Sequence, residues 1–460
     1  MKYRFKGPKQ YAHQRTTFDA LIAHPRFGVF SQPGTGKTRS LVCAAEARKM
    51  AGATERALYV CPNAVRNTIG REIEMWTDCT YTILDGGSVA RVKQLEETDT
   101  FFYIINYESL MFIEAQLVKK GFDLIILDES TRIRNTESAT HKAVNRIAKG
   151  CKARWIATGT PMPRDPWDFF GQFKILYPGI FGSKTFFRQH YIKYGQVPGS
   201  PLPKIIGYTN KDEMRDRIAE HSIRFLKKDC LDLPDKVFVH CDVPMGPGQR
   251  RVYDEFTALM MAEMPSGTVI PIKSAFSKFM RFHQTTSGFV GSGEECEWLD
   301  DNTKLDYLRT LLDTLQLHEN KVILWCTWTP SVEMLRDELA AHSPAMFYGG
   351  TKDQDAEIQR FNQDPDCRVL IGNSRVGIGC TLNVSHYVVY YELPYFNPEH
   401  FDQSQDRNHR IGQTEKVTYY LLMAPGTVDY TIWRNLMGKY ALAAELTGDD
   451  VKNILTGEVA

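Results

Sequence analysis

Short apolar runs alternate with helix-like segments along the first part of the chain. The runs are rich in β-branched and aromatic residues, and they cover Phe27–Phe30, Ala57–Cys61, Phe101–Ile105, Leu124–Leu127 and Trp155–Thr158. Continuous apolar strands separated by helices are typical of a parallel sheet that is covered on both faces. The pattern therefore predicts an α/β domain built on a parallel sheet.

A second series of apolar runs begins near residue 321, again with helical patterns between the runs. It consists of Val322–Trp325, Val369–Ile371, Tyr387–Tyr391 and Val417–Leu422. Because this series repeats the features of the first, we predict a second α/β domain with a parallel sheet.

Between the two series the pattern changes. Residues 180–300 contain breaks rich in proline and glycine around aromatic and basic helical stretches such as Asp212–Arg224 and Gln249–Met264. Such breaks favour a mostly helical insertion with a linker. We therefore predict a first α/β lobe, a helical insertion with a linker, and a second α/β lobe, over residues 1–178, 179–300 and 301–460 respectively.

Composition and charge exclude several classes of protein. The 460 residues are 43% hydrophobic and 24% charged, which is typical of a soluble globular protein and excludes a wholly disordered or fibrous one. The formal net charge of +1 provides no global field toward nucleic acid or membrane, so a polyanion would have to bind in a local cleft. The ten cysteines form no Cys-x-x-Cys pair, which indicates a reducing compartment and no zinc site. We expect a cytoplasmic protein, because neither a signal peptide nor an apolar run of membrane-spanning length is present.

The segment Gln32–Thr38 ends the first predicted strand and opens a helix. Its glycines let backbone N–H groups curl around an anion at a helix N-terminus, where the helix dipole also favours negative charge. Lys37 would reach the terminal phosphates, and the Thr38 hydroxyl would coordinate Mg²⁺. The predicted phosphate-binding residues are Gly34, Thr35, Gly36, Lys37 and Thr38.

One position of this loop departs from the usual pattern. The usual first glycine, which would be separated from Gly36 by four residues, is replaced by Ser31. A short match of this kind also occurs in chance loops, so the downstream segments have to decide its meaning.

Two adjacent acids follow the apolar run Leu124–Leu127. They are Asp128 and Glu129, and they fall at the carboxyl edge of the predicted sheet, where such folds bind ligands. We predict that Asp128 holds Mg²⁺ and that Glu129 orients or deprotonates the attacking water. The alternative is a solvated acidic turn, which becomes improbable beside a phosphate loop.

The next predicted strand ends in the segment Ala157–Pro161. This segment places small hydroxyl residues beside the expected nucleotide. We predict a coupling role for Thr158, Gly159 and Thr160.

A basic segment, Gln403–Gln413, lies near the other end of the chain. Its Arg407 and Arg410 are three residues apart, and we predict that they share one helical face and reach a γ-phosphate as arginine fingers. The alternative is a solvated basic helix.

The order of these segments resembles the superfamily 2 helicase core, and more narrowly the Swi/Snf-type translocases on double-stranded DNA. The resemblance covers nearly the whole chain. It is also carried by Tyr11–Gln14, Val60–Pro62, Ile105–Leu110, Arg224–Lys236 and Gly377–Leu382. It implies that Gln14 contacts the adenine base, that Gly379 belongs to the nucleotide site and that Gln403 belongs to the catalytic segment.

The acidic segment departs from the family pattern. Ser130 and Thr131 stand where the family usually has a small residue and a histidine. This departure bears on how nucleotide hydrolysis is coupled to the segment around Thr158.

The resemblance implies an α/β protein with two tandem RecA-like domains that uses ATP and Mg²⁺. The implied function is a motor that hydrolyses ATP and moves along duplex DNA in replication, repair or recombination. A strand-separating DNA helicase and a nucleotide-gated DNA clamp with little turnover are the alternatives. Forked or branched DNA and a nuclease or replication protein are further candidate partners. A bare core of this size resembles a bacterial or phage protein.

Overall fold

The computed structural model describes residues 3–196, 203–265, 269–271, 274–291, 296–373, 380–394, 398–410, 412–447 and 457–459. The chain divides by its contacts into two compact units. The first unit comprises Met1–Asp232 and Ala441–Ile454, and the second comprises Leu233–Tyr440 and Leu455–Ala460.

The first unit is built on a parallel sheet of seven strands in the order β3-β4-β2-β5-β6-β1-β9. A separate antiparallel hairpin is formed by β7 and β8. The strands are β1 (Arg26–Val29), β2 (Ala57–Cys61), β3 (Tyr81–Ile83), β4 (Phe102–Asn106), β5 (Leu124–Asp128), β6 (Ala153–Ala157), β7 (Ile192–Gly195), β8 (Lys204–Tyr208) and β9 (Ser222–Ile223).

Helices connect these strands and bury their apolar faces against the sheet. Every residue of β2, β4 and β6 is buried, as a sheet covered on both faces requires. The helices are α1 (Ala12–Ala23), α2 (Lys37–Met50), α3 (Arg66–Trp76), α4 (Ser88–Glu97), α5 (Tyr107–Leu110), α6 (Glu114–Lys120), α7 (Ala139–Gly150), α8 (Trp167–Leu176), α9 (Lys184–Tyr191), α10 (Lys211–Glu220) and α11 (Lys227–Cys230).

The second unit also contains a parallel sheet of seven strands, in the order β16-β17-β15-β18-β19-β10-β20. Two short antiparallel pairs, β11 with β12 and β13 with β14, lie outside it. The strands are β10 (Lys236–Asp242), β11 (Met261–Glu263), β12 (Val269–Pro271), β13 (Phe289–Val290), β14 (Glu297–Trp298), β15 (Val322–Cys326), β16 (Ala345–Phe347), β17 (Val369–Asn373), β18 (Tyr387–Tyr390), β19 (Val417–Met423) and β20 (Gly457–Val459).

Seven α-helices begin within the described residues of the second unit, and the last of them continues into residues of the first unit. They are α12 (Pro247–Leu259), α13 (Ala275–Thr286), α14 (Thr303–Thr314), α15 (Thr329–Glu338), α16 (Gln354–Gln363), α17 (Pro398–Gln405) and α18 (Val428–Thr447). Within the part of the chain that the structure describes, no helix is both long and apolar enough to span a bilayer.

The two sheets share one strand order. When the strands of each sheet are counted along the chain, β1 corresponds to β10, β2 to β15, β5 to β18 and β6 to β19. Both sheets therefore place their first, fifth and sixth strands side by side. In a parallel sheet, the loops after these strands meet at one edge.

The predicted fold class is confirmed, because each unit is an α/β domain with a parallel sheet. All nine predicted runs overlap observed strands, with ends that differ by at most two residues. Most strands that the pattern did not predict are short, such as β3, β9 and β16, but the seven-residue β10 was also missed. Residues 179–300, predicted as mostly helical, also supply β9 to the first sheet and β10 to the second. The three-part division at residues 178 and 300 stays a prediction.

Candidate nucleotide-binding site

Three neighbouring strands of the first sheet carry the predicted site segments. The strands β5, β6 and β1 are adjacent, and the acidic pair, the Thr158 segment and the phosphate loop follow them in that order. Since the strands are parallel, these segments gather at the carboxyl edge of the sheet. Segments that are distant in sequence are thus brought together.

The loop after β1 has the backbone that an anion-binding turn needs. Gly34 and Gly36 have φ values of 79° and 80°, a left-handed conformation that favours glycine. Helix α2 then begins at Lys37, so the loop leads directly into a helix N-terminus. Thr38 is the second residue of this helix and is half-buried. Backbone N–H groups and the helix dipole at such an N-terminus favour a phosphate.

Side chains of α1 brace this loop. His13 Nε2 lies 2.8 Å from the carbonyl oxygen of Thr35, and Gln14 Nε2 donates to the same oxygen at 3.3 Å. A Cβ atom at Gly36 would lie 2.1 Å from Gln14 Nε2, so a larger residue would displace this amide. The structure therefore brings Gln14 to the phosphate loop, where its amide supports the backbone.

Lys37 and Ser31 contact each other within the loop. Lys37 Nζ donates a hydrogen bond to the carbonyl oxygen of Ser31 at 2.9 Å. The Ser31 hydroxyl accepts one from the backbone N–H of Phe225 at 3.2 Å. The residue that replaces the usual first glycine is thus 2% exposed and tied to the chain near β9.

Asp128 ends β5 and is held by two donors. The Tyr59 hydroxyl donates a hydrogen bond to Asp128 Oδ2 at 3.1 Å, and the backbone N–H of Glu129 donates one to Oδ1 at 3.1 Å. Burial raises the pKa of the Asp128 carboxyl, and the positive charge of Lys37 opposes this rise. Lys37 of the phosphate loop therefore interacts electrostatically with Asp128 of the acidic pair.

Glu129 has an unusual backbone conformation. Its φ of 51° places a non-glycine residue in the left-handed region, which costs about 1–2 kcal/mol. Its Oε2 accepts a hydrogen bond from Thr158 Oγ1 at 2.9 Å. Strained residues of this kind persist where their surroundings hold them, and they cluster at active sites.

The segment after β6 contacts both the acidic pair and the phosphate loop. The Thr158 hydroxyl, which donates to Glu129, accepts from the backbone N–H of Thr160 at 3.3 Å. A Cβ atom at Gly159 would lie 2.3 Å from Cδ of Pro33, so only glycine allows this close approach. The three predicted coupling residues therefore lie between the two other parts of the site.

The predicted helical face of the two arginines is wrong. Helix α17 ends at Gln405, so Arg407 and Arg410 lie in the turn that follows it, because the chain leaves the helix before reaching them. Gln403 lies on α17 itself and is half-buried. Gly379 is outside the described residues.

The two arginines also differ in their surroundings. Arg407 is 3% exposed, and its guanidinium lies 4.8 Å from the ring centre of Trp325 and 5.3 Å from that of Phe347. Burial lowers the pKa of Arg407. Arg410 is half-buried and donates to the carbonyl oxygen of Cys380 at 3.3 Å.

Some residues of this region were not found from the sequence. Tyr59 and Gln172 contact the acidic segment, although neither belongs to a predicted motif. Tyr59 lies in an apolar run, and Gln172 lies on an ordinary helix. No spacing in the sequence pointed to Gln172, because its hydrogen bond with Ser130 joins two side chains that are 42 positions apart.

Comparison with protein families agrees with this arrangement. A family model described as "SNF2-related domain" matches residues 29–287, which is more than half of the chain. The chain belongs to the SNF2-related family. A second model, "Helicase conserved C-terminal domain", matches residues 303–412. Membership of this family supports an ATP-hydrolysing enzyme of the helicase type that depends on DNA.

Curated relatives cover most of the chain at low identity. The human "DNA annealing helicase and endonuclease ZRANB3" is 25% identical over 412 residues, which is 85% of this chain and 36% of that protein. The "DNA repair and recombination protein RAD54" of Oryza sativa subsp. japonica is 26% identical over 446 residues, covering 84% of this chain and 45% of that protein. The chain thus spans less than half the length of these relatives.

A solved structure is also similar. The "Sulfolobus solfataricus SWI2/SNF2 ATPase core in complex with dsDNA" superposes with a TM-score of 0.48 and 19% identity, covering 99% of this chain and 97% of that one.

Proposed function

We propose that this protein is a motor that hydrolyses ATP and moves along double-stranded DNA. The proposal extends the family assignment, which by itself supports a helicase-type ATPase. The observation that carries it is the Glu129 carboxylate, held on a left-handed backbone by Thr158 beside Asp128 and the phosphate loop. This arrangement suits the attack of water on a bound phosphate.

The residues of the first unit divide the chemistry among them. Backbone N–H groups from Gly34 to Thr38 would bind the phosphates, and Lys37 would neutralise their charge. The Thr38 hydroxyl and the Asp128 carboxylate are oxygen ligands, which Mg²⁺ prefers, and phosphate oxygens and water would complete its shell. Glu129 would orient or deprotonate the attacking water. Bound Mg²⁺ would stabilise negative charge on the phosphates.

Residues of the second unit would assist this chemistry. Arg407 and Arg410 are proposed to stabilise charge on the γ-phosphate. Gln403 is proposed to belong to the same catalytic segment, and Gly379 to the nucleotide site. Of the two arginines, the half-buried Arg410 is better placed for a ligand, whereas the guanidinium of Arg407 packs against two rings. These roles rest on the motifs and on the family.

Duplex DNA is the proposed partner, and repair or recombination is the proposed setting. The setting is supported by the name of the RAD54 relative, a DNA repair and recombination protein. With a net charge of only +1, binding must come from local phosphate contacts, so affinity should fall steeply as salt is raised.

The test compares two variants of the site. Lys37→Ala should weaken ATP binding and abolish hydrolysis, because it removes the positive charge that would neutralise the phosphates. Glu129→Gln should keep ATP binding but lower kcat by about 10²–10⁴, the usual worth of a positioned acid or base. The exposed residues Lys149 and Glu96 provide matched controls, as Lys149→Ala and Glu96→Gln.

ATPase rates should be measured with duplex, single-stranded and forked DNA and with RNA. Duplex DNA should stimulate hydrolysis most. Stimulation by RNA alone, or a Glu129→Gln variant that turns over at the wild-type rate, would refute the proposal. Unwinding of a forked substrate would instead support the strand-separating alternative, and ATP-dependent DNA retention without phosphate release would support a clamp.

A further inference from the structure

A buried glutamine connects the two segments that hold the candidate hydrolytic residues. Gln172 lies on α8 and is 0% exposed. Its Oε1 accepts a hydrogen bond from Ser130 Oγ at 2.7 Å. Its Nε2 donates to the carbonyl oxygens of Pro161 at 2.7 Å and Asp168 at 2.8 Å. Both N–H donors of the amide and one lone pair of its oxygen are thus used.

These partners determine how the amide is oriented. The carbonyl oxygens of Pro161 and Asp168 can only accept, so the NH₂ group of Gln172 must face them. Its oxygen must then face the Ser130 hydroxyl. A side chain of similar length without the amide would leave a buried hydroxyl and two buried carbonyl oxygens without this partner, which is unfavourable in an interior of low dielectric.

The glutamine completes a closed set of contacts that includes Glu129. Ser130 directly follows Glu129 in the chain, and Pro161 lies shortly after Thr158. Thr158 Oγ1 in turn donates to Glu129 Oε2 at 2.9 Å. The acidic segment and the segment after β6 are therefore joined twice, once through Thr158 and once through Gln172.

Two further features bear on this second connection. A Cβ atom at Gly171 would lie 1.9 Å from the carbonyl oxygen of Arg134, so α8 approaches the backbone just after the acidic pair as only glycine permits. Glu129 itself has the left-handed φ of 51°, which its surroundings must maintain. The Ser130–Gln172 contact acts on the residue next to this strained position.

We propose that Gln172 is a positioning residue for nucleotide hydrolysis, acting through Ser130 and Pro161 to hold the Glu129 carboxylate in place. The inference rests on the proposed function, because it requires Glu129 to act on water. It also gives a physical role to the Ser130 hydroxyl, which is the group that the glutamine holds.

The experiment replaces Gln172 by Met, which keeps an unbranched side chain of similar length but removes the amide. With saturating duplex DNA, kcat for ATP should fall about tenfold to a hundredfold, as expected for a misplaced catalytic group. The KM for ATP and the directly measured affinity for a fluorescent ATP analogue should stay within about twofold, because the phosphate loop is unchanged. Circular dichroism and nucleotide binding would verify that the variant is folded.

Gln249 provides a matched control in the second unit. Its side chain is also 0% exposed, and its Nε2 donates to the carbonyl oxygen of Thr285 at 2.9 Å. Gln249→Met should therefore lower the unfolding temperature while keeping kcat per folded molecule. A fall in kcat of the same size in both variants would overturn the inference, since it would indicate a general effect of lost buried amides.

Two further variants connect the effect to Ser130 and to the amide. Ser130→Ala combined with Gln172→Met should lower kcat no further than Gln172→Met alone, because the two residues act as a unit. Gln172→Glu should be impaired at neutral pH and should recover toward the wild-type rate as pH falls, because protonation restores one donor toward a carbonyl oxygen. Additive losses, or an impairment of Gln172→Glu independent of pH, would contradict the positioning role.

The same assays separate this inference from the proposed function. If wild type and Glu129→Gln hydrolyse ATP equally, the proposed function fails. If Glu129→Gln is inactive but Gln172→Met retains the wild-type kcat, only the role of Gln172 is refuted.

Discussion

The two units share a strand order but use the same sheet edge differently. In the first unit the loop after β1 has the left-handed glycines of an anion-binding turn, and Glu129 follows β5. In the second unit the helix after β10 is capped by Asp301, and the carboxylate after β18 is Glu392. The comparison shows that topology creates the edge, whereas the neighbouring donors and acceptors decide whether it is left for a ligand.

The helix after the first strand of each sheet illustrates the difference. At the start of α12 the backbone N–H groups of Gly248 and Gln249 donate to the two carboxylate oxygens of Asp301, at 2.9 and 2.8 Å. An anion of the chain itself thus occupies the position that a phosphate would take at α2.

The carboxylates after the fifth strands differ in the same way. Glu392 is 0% exposed, and its Oε2 accepts from the backbone N–H groups of Thr327 at 2.8 Å and Trp328 at 3.0 Å. Its other oxygen accepts from the Ser331 hydroxyl. Glu392 therefore stabilises the start of α15, and burial raises its pKa. Glu129, by contrast, is half-buried and strained.

The largest expected effect tests whether the charged residues of the second unit only stabilise the fold or also take part in hydrolysis. Arg410→Ala should lower the DNA-stimulated kcat by about 10³–10⁵ with little change in ATP affinity, as for other arginine fingers. Arg410→Lys should also be slow, because lysine lacks the planar fork. Arg407→Ala should lower both kcat and the unfolding temperature, since its guanidinium packs on Trp325 and Phe347.

These rates should be compared with Arg434→Ala, a change at an exposed position of α18. Normal kcat in both Arg410 variants would mean that Arg410 has no part in hydrolysis.

The next effect concerns the carboxylate that we interpret as structural. Glu392→Ala should lower the free energy of unfolding by at least about 3 kcal/mol, because it leaves three buried donors without a partner. The ATPase rate per folded molecule should stay near normal. Chemical denaturation would measure the loss, with Glu333→Ala at an exposed position of α15 as the control. Unchanged stability would mean that Glu392 is not structural, so the proposed difference between Glu392 and Glu129 would be wrong.

Asp168 is a buried carboxylate of the first unit. It tests whether burial raises a carboxyl pKa in this unit as it does for Glu392 in the second. Burial raises the pKa of Asp168 from 3.8 to about 6, although Arg134 opposes the rise. The folded protein therefore holds the proton more tightly than the unfolded chain, and the stability that this provides is full below pH about 4 and lost as pH rises through about 6. Asp168→Asn should remove this dependence.

Urea unfolding between pH 4 and pH 7 would measure it. Relative to Asp168→Asn, wild type should lose up to about 3 kcal/mol across this range. Asp99→Asn, with a side chain that is 90% exposed, provides the control. A difference between wild type and Asp168→Asn that does not change with pH would contradict the burial argument.

The smallest expected effect concerns the cap of α12. Asp301→Ala should cost about 1 kcal/mol of unfolding free energy, the usual worth of a helix N-cap. Asp300→Ala, at the exposed neighbouring position, should have less effect. If Asp301→Ala changed ATP affinity more than stability, the view that this helix start is satisfied internally would be wrong.

The sequence alone determined the local elements of this protein. The apolar runs predicted the principal strands, and the segments around Lys37, Asp128 and Thr158 predicted that a nucleotide site lies at one sheet edge. Such motifs are readable because a strand, a turn and a helix start each depend on residues that are close together in the chain.

Tertiary structure decided which side chains meet. Gln172 contacts Ser130 across 42 positions, and Arg407 packs on Trp325 from a distant strand. The roles of Glu129 and Glu392 also differ only through their neighbours, since both follow the fifth strand of a sheet with the same order. Contacts of this kind depend on which strands and helices lie side by side, and the spacing of residues within a single segment carries no information about that.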